Sequence, residues 1–391
     1  MQTLYVDTPE ALRALAESLR GSPWLALDTE FIREKTFRPQ LSLVQVSNGS
    51  LTACVDPLAL TDLTPLLDLI YNPTVTKVMH AARQDLEIFL GLRGELPRPV
   101  FDTQVAATVL GYGDQVGYGS LVRQVLGVDL EKAHTRTDWM QRPLAPDQIE
   151  YAADDVRHLA PLYQRLRAQL DAKGRLDWLD EDFAALVEPR TYRTPPEEAW
   201  LRIRGAGKLK GAQLAALRAL TAWREEQAMA LDKPRRWILK DEMLIELARQ
   251  MPDTLAKLGR VRGLEAAVAN RHGQKLVTLI AAARRLPPEQ WPVLDLAERL
   301  DASQEAVVDL LAGVVRQLGA DQGVSPSAIA CRRDLERVLL GDTEVSLLHG
   351  WRGMLAGQAL CDIVAGKTRV RVEAGRLVLE PAQDSLDERK R

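Results

Sequence analysis

The chain is poor in cysteine, poor in aromatic residues and free of long apolar runs, and each shortage narrows what it can be. Only three of its 391 residues are cysteine, Cys54, Cys331 and Cys361, far apart and without a CxxC pair. Neither a disulfide framework nor a zinc-ribbon spacing exists, and a reducing cytoplasm is the expected compartment. No stretch approaches the roughly 18 uninterrupted apolar residues of a membrane helix. The N-terminal MQTLYVDTPEALRAL places two acidic residues before its first arginine and holds no apolar run, so neither secretion nor membrane insertion is expected. An excess of one charge is missing too: the net charge is −3, which taken alone argues against a nucleic-acid partner. A hydrophobic content of 46 % with 27 % charged residues excludes disordered, collagen-like and fibrous chains. At about 150 residues per domain, two or three domains are expected.

The charge is unevenly spread. Residues 1–199 hold 20 basic and 29 acidic residues, residues 200–290 hold 18 and 9, and residues 291–391 hold 13 and 16. The basic middle segment has two readings, a solvated helical surface or a contact for a phosphate backbone.

The first half reads as mixed α/β. WLALD (24–28), LSLVQVS (41–47), LTACV (51–55), TKVMH (76–80) and VFD (100–102) have the length and content of strands. Short connections join the first three as antiparallel hairpins, and helical stretches such as ARQDLEIFLG separate the later ones, as βα crossovers require. A mixed sheet flanked by helices follows, closed by a helix from Pro146 to Leu170 that carries Ile149, Ala152, Ala153, Val156 and Leu159 at helical spacing. LVEPRTYRTPPEE (186–198) reads as an interdomain linker. Everything beyond it reads as helical, over 212–230, 241–250, 263–285, 304–318, 326–340 and 344–363, with a second boundary at Pro287, Pro288 and Pro292. Two small helical bundles result, and the terminal DSLDERKR is expected to be disordered.

The most informative residues are acids. Asp28 and Glu30, separated by Thr29 at the end of the first strand of this set, project from one face because side chains alternate along a strand. Two like charges so close repel, and a divalent cation between them resolves the conflict. An isolated Asp-x-Glu is more often a solvated strand end. Asp85, in HAARQDLEIF, lies in the first turn of a helix, where a lone acid usually complements the dipole. In Tyr151-Ala-Ala-Asp-Asp155, Tyr151 and Asp155 stand four apart on one helix face, whereas Asp154 faces elsewhere. Four acids and a phenol form the oxygen-rich set that hard divalent ions prefer.

LALDTEF, HAARQDLEIF and YAADDV resemble the three exonuclease motifs of the DEDD superfamily, in its tyrosine-containing branch, over residues 1 to about 190. Within that superfamily the sequence is most similar to the bacterial ribonuclease D family, and TRTDWMQRPL (135–144) resembles that family as well. The resemblance implies a ribonuclease H-like α/β fold and a catalytic set of Asp28, Glu30, Asp85, Tyr151 and Asp155. It implies that Asp28, Glu30 and Asp155 bind a first metal ion, that Asp28 bridges to a second supported by Asp85, and that the ions are two Mg²⁺ or Mn²⁺. Tyr151 then orients the attacking water rather than removing its proton, since a phenol with a pKa near 10 is a poor base at neutral pH.

Residues 200–280, with Trp223-Arg224-Glu225, Asp232-Lys233-Pro234 and Asp241 to Pro252, resemble the helicase and RNase D C-terminal (HRDC) domain, which agrees with the basic charge. Lys208, Lys210, Arg235, Arg236 and Lys240 are candidate phosphate contacts. Trp200, Trp223 and Trp237 are expected in the core. Residues 296–375, including HGWRGMLAGQALCDIVAGKTRV, look like a second, diverged HRDC domain that closes the molecule. Three motifs mislead. Ala365-Gly-Lys-Thr368 lacks the first glycine of a phosphate-binding loop, where Cys361 stands, so no ATP site is expected. Gly111-Tyr-Gly-Asp-Gln-Val-Gly117 misses the dinucleotide fingerprint and reads as a loop. His134 reads as a surface residue near the substrate side.

The expected architecture is a DEDD exonuclease domain over 1–190, a first HRDC domain over 200–290 and a second over 296–375. The expected activity is 3′→5′ exoribonuclease action by two-metal hydrolysis, releasing nucleoside 5′-monophosphates during tRNA 3′ maturation. The partners expected are RNA, namely tRNA precursors, with no membrane and no ATP, for a monomer in the cytoplasm. The alternatives are a 3′→5′ DNA exonuclease and a non-catalytic RNA-binding adaptor.

Overall fold

The computed structural model describes residues 3–130, 137–294 and 299–382. Its first half is a six-stranded mixed sheet in the order β1-β4-β3-β2-β5-β6. Helices α1 (Pro9–Leu19), α2 (Thr64–Ile70) and α3 (Arg83–Arg93) cover one face; α4 (Thr103–Val109), α5 (Tyr118–Leu126) and α6 (Pro146–Ala172) belong to the other side. Strands β2 (Trp24–Ile32), β3 (Gln40–Ser47) and β4 (Thr52–Val55) are antiparallel, whereas β5 (Thr76–Met79) and β6 (Val100–Asp102) run parallel to β2, as the connection lengths predict. The first strand, β1 (Thr3–Val6), was not anticipated; it pairs parallel with β4 at the sheet edge and is too short to show alternation.

Period-two alternation divides the strands cleanly. Leu25, Leu27, Val44, Val46, Ala53 and Val55 enter an apolar layer with Leu12, Leu66, Leu86 and Phe89 of α1–α3. Ala26, Leu43, Cys54 and Val78 face the opposite side, toward α6. Helix α6 starts with proline in its first turn and runs for 27 residues. Ala152 and Ala153 in its second turn are fully buried, so small side chains let the helix lie close to β2, β3 and β4.

The stretch 186–198 is less free than a linker. Val187 joins the core under α3 and its carbonyl accepts from Arg98 Nη2 at 2.6 Å, and the Leu90 carbonyl accepts from Arg193 Nη2 at 3.3 Å. Beyond α7 (Asp180–Leu186), the first bundle comprises α8 (Ala212–Leu231), α9 (Arg235–Ile238), α10 (Asp241–Gln250), α11 (Leu255–Leu258) and α12 (Ala266–Arg285) around its own core. Trp200 and Trp223 are in that core, as expected, but Trp237 is 52 % exposed, because α9 is a single turn with one buried side chain, Ile238. Asp232 ties this bundle to the first domain by accepting from the backbone N–H groups of Phe37 and Arg38, both at 3.1 Å.

The last segment departs most from expectation. Helix α13 (Ala302–Gln322) is continuous, but the helix expected over 326–340 breaks at extended Ala330 and Cys331 into α14 (Pro326–Ile329) and α15 (Arg332–Leu339). The helix expected over 344–363 is a chain of short pieces, α16 (Gly350–Arg352), a π turn and α17 (Gln358–Val364). A side chain at Gly357 would meet the Leu347 carbonyl at 2.4 Å, so glycine permits this close crossing. Strands β7 (Thr368–Glu373) and β8 (Arg376–Pro381) then form a hairpin, so the segment is not all-helical and position 375 falls inside its turn. The alternation of TRVRVE and the positive-φ pair Ala374-Gly375 are the signals for it.

This last segment shares one continuous apolar core with α4, α5 and α6. Trp178 and Trp351 stack at 4.5 Å, and Arg352 Nη2 reaches both carboxylate oxygens of Asp182 at 2.8 Å. The 111–117 glycine run lies at this seam. Gly111 has φ +80° and a side chain there would strike the Gly323 carbonyl at 2.7 Å, while Gly113 N–H donates to Ser325 Oγ at 3.2 Å. Ala365-Gly-Lys-Thr368 is the turn from α17 into β7. Among the described residues, no helix is long and apolar enough to cross a membrane. His134, the first two residues of TRTDWMQRPL and the terminal DSLDERKR lie outside the described residues.

Candidate active site

Asp28, Thr29 and Glu30 lie within β2, not at its end: the strand stays paired with β3 through Ile32. What ends near Asp28 is the partnership with β5, which stops at Ala26. Beyond that point one edge of β2 is open, and the first turn of α3 fills the gap. Asp85 from that turn is 7 % exposed and accepts from Thr29 Oγ1 at 2.5 Å. On the α6 face, ligand atoms of Asp28, Glu30 and Asp155 all lie within 4.8 Å of one another. Asp85 is outside this triple but near enough for its charge to oppose that of Asp28.

Burial and mutual repulsion make these carboxyls reluctant to ionise. Burial, then the Asp155 charge, pushes Asp28 up to about 8; burial, then Asp28, pushes Glu30 up to about 9; burial, then Asp154, pushes Asp155 up to about 7. Asp85 is raised well above its ordinary value by burial and by Asp28. Tyr151, on the same face of α6, is raised by burial and by Asp155, so it stays a protonated phenol at neutral pH. Asp154 points away, paired with Arg157. Such a set of oxygen ligands, costly to charge when empty, is suited to a divalent cation.

Three features of the site rest on contacts that motif reading does not give. Tyr118, half-buried against α6, donates its hydroxyl to the Asp155 carbonyl and, at 3.2 Å, to that of Asp154. The 137–144 loop is clasped to the sheet by Arg142. Arg142 Nε and Nη2 grip Asp56 at 2.6 and 2.8 Å, Nη2 also reaches the Ser42 carbonyl at 2.7 Å, and Nη1 reaches the carbonyls of Trp139 and Gln141, both at 2.8 Å. Burial alone would raise the Asp56 carboxyl, but hydrogen bonds from Arg142 and Tyr5 outweigh it and hold it below its ordinary value. The clasp sets the buried Trp139 ring parallel to Tyr151, centroids 6.3 Å apart. The third feature is Gln45, fully buried beside Asp28.

The five candidate phosphate contacts divide. Arg235, Arg236 and Lys240 line a groove of about 740 Å³ between the first bundle and the 33–37 loop, with Arg33, Arg202 and Phe37. Arg235 is already engaged, its Nε 2.6 Å from Glu225 and its guanidinium 4.5 Å from the Phe37 ring centre. Lys208 and Lys210 are exposed and stand outside that groove.

Comparison with known proteins agrees with this geometry. A 3′-5′ exonuclease family matches residues 4–171 and the HRDC domain family matches residues 213–280. The ribonucleases D of Acidiphilium cryptum and Gluconacetobacter diazotrophicus are each 41 % identical, over 96 % of this chain and 96 % of theirs. The crystal structure of Escherichia coli RNase D, an exoribonuclease involved in structured RNA processing, superposes with a TM-score of 0.84 at 34 % identity, covering 94 % of this chain and 99 % of that one. The chain belongs to the ribonuclease D family of exoribonucleases.

Proposed function

We propose that this exoribonuclease trims the 3′ tails of tRNA precursors, one nucleoside 5′-monophosphate at a time, at the cluster of Asp28, Glu30, Asp85 and Asp155. The observation that carries the reading is the convergence of Asp28, Glu30 and Asp155, each half-buried, within 4.8 Å of one another on one face. Three carboxyls crowded there are stable as anions only beside positive charge, so the donor set fits divalent cations. Asp28, Glu30 and Asp155 would hold one ion, and Asp28 with Asp85 would support a second. Mg²⁺ or Mn²⁺ bound there would supply Lewis-acid stabilisation of the scissile phosphate and would lower the pKa of the attacking water. Tyr151, protonated because burial and Asp155 raise it, donates a hydrogen bond that orients the attacking water. Glu30 contacts the terminal ribose hydroxyl. Arg235, Arg236 and Lys240 guide the RNA backbone along their groove, and Lys208 and Lys210 extend the contact. The enzyme works as a monomer in the cytoplasm.

The test is digestion of a 5′-labelled tRNA carrying a short 3′ extension, beside a matched single-stranded DNA, in Mg²⁺, Mn²⁺ or EDTA, with wild type and Asp28→Ala. Metal-dependent, stepwise shortening of the RNA by wild type alone is the expected result. Shortening of DNA alone overturns the substrate assignment, and cleavage that survives EDTA overturns the metal assignment.

A further inference from the structure

Gln45 is an anomaly in the sheet. It sits mid-strand in β3 with no exposed surface, flanked by the apolar Val44 and Val46, and neither its Nε2 nor its Oε1 has a hydrogen-bond partner. A buried primary amide with both ends unmet costs about 1–3 kcal/mol for each unmet group, so an apolar residue would serve the fold better. Register shows where the amide lies. Gln45 is directly opposite Asp28 on one side and Cys54 on the other. Cross-strand partners project from the same face with Cβ atoms about 5 Å apart, so Gln45 shares the α6 face with Asp28 and Glu30. Cys54 is already engaged, its thiol donating to the Ile149 carbonyl at 3.6 Å. The other direct cross-strand partner of Gln45 is Asp28, with Glu30 one diagonal step away on the same face.

From this juxtaposition we propose that Gln45 is a positioning residue for the metal centre: its amide N–H groups hold the Asp28 carboxylate in its ligating orientation, and its carbonyl accepts from water of the loaded site. The inference rests on the metal reading under Proposed function. It accounts for an orphan amide in an otherwise satisfied sheet: ligation turns the Asp28 carboxylate toward the amide N–H groups, and water of the metal centre meets its carbonyl. Outer hydrogen bonds of this kind change metal affinity about 10–100-fold when removed.

The experiment uses the full-length chain and Mn²⁺ as probe. Wild type, Gln45→Leu and Asp28→Asn are melted in EDTA and in Mn²⁺, titrated with Mn²⁺ by calorimetry, and assayed on a single-stranded RNA oligonucleotide. Gln45→Leu is expected to melt in EDTA at or above the wild-type temperature, because an unmet amide is gone. It is expected to bind Mn²⁺ about tenfold or more weakly and to lose kcat with KM little changed. Gln45→Met, closer in volume, replaces it if the leucine variant is recovered unfolded. Wild-type Mn²⁺ affinity and kcat in the folded variant overturn the proposal, as does a lowered melting temperature in EDTA with unchanged affinity, which marks a packing role. A wild type that gains nothing from Mn²⁺ removes the metal reading itself, and this proposal with it.

Discussion

Replacing Arg142 by methionine removes five hydrogen-bond donations at once and leaves the Asp56 carboxylate, 2 % exposed, with only Tyr5 Oη–H at 2.6 Å and Leu58 N–H at 2.9 Å. Deleting one partner of a buried ion pair costs about 3–5 kcal/mol, most of it the penalty of the stranded charge. The Arg142 side chain is 23 % exposed, so water already screens the pair and the lower end, about 3 kcal/mol, applies. At about 2–4 °C per kcal/mol for a domain of this size, the exonuclease domain should melt about 6–12 °C lower at pH 7. The sign with pH is opposite in the two proteins. In wild type the Asp56 carboxyl is held below its ordinary value, so its contribution is present at neutral pH and disappears only as pH falls through that depressed pKa. In the variant, burial without the guanidinium raises it, so protonation relieves the stranded charge and the deficit shrinks from pH 7 toward pH 5. The loosened loop also releases Trp139 from Tyr151, so kcat on an RNA oligonucleotide should drop about tenfold, with KM within about threefold. Calorimetric melts at both pH values with steady-state kinetics test the argument. A variant that melts within about 2 °C of wild type at pH 7, or a deficit that widens at pH 5, refutes it.

Three other outcomes follow from the geometry. Carboxyls that hold protons up to about 7 to 9 must release them to a cation, so Mn²⁺ affinity should climb between pH 6.5 and 8.5. Calorimetry in buffers of different ionisation enthalpy should register about two or more protons released per chain at pH 7, and no proton release contradicts the assignment. Lys77, fully buried, donates to the carbonyls of Asn72 at 3.0 Å, Val75 at 2.5 Å and Arg98. Lys77→Met should cost about 2–4 kcal/mol of stability in denaturant titration yet leave kcat unchanged, because β5 Lys77 lies on the face opposite Val78 and the acids. Neutralising Arg236 and Lys240 together should weaken RNA binding evenly across sequences and reduce the salt slope by about two, as measured by fluorescence anisotropy from 50 to 250 mM salt; an unchanged slope places the RNA elsewhere.

The site was legible where chemistry is local. Asp28 and Glu30 share a face because strand geometry has period two, and Tyr151 and Asp155 share one because helix geometry has period 3.6. Both periods can be read from one sequence. The helical bundle over 200–286 was similarly readable, since each helix is amphipathic and folds around its own core. The β7–β8 hairpin differs from the helical expectation although TRVRVE alternates, because the helical spacing before it runs almost up to the strand. Trp237 was assigned to the core on residue type, and only the shortness of α9 leaves it on the surface.

Sequence alone thus determined which acids pair on a strand face and which residues pair on a helix face, and the basic middle segment, all of which depend on near neighbours in the chain. Tertiary structure decided what depends on distant ones. Asp85 meets Thr29 across 56 positions because α3 packs on the sheet face toward which Thr29 projects. The pairing of Arg142 with Asp56, which sets Trp139 against Tyr151, spans 86 positions. The Gly111–Gly323 seam lets the last segment share an apolar core with α4, α5 and α6. None of these contacts has a period in the sequence, since each arises from where packed layers end, and only the assembled sheet and helices show those ends.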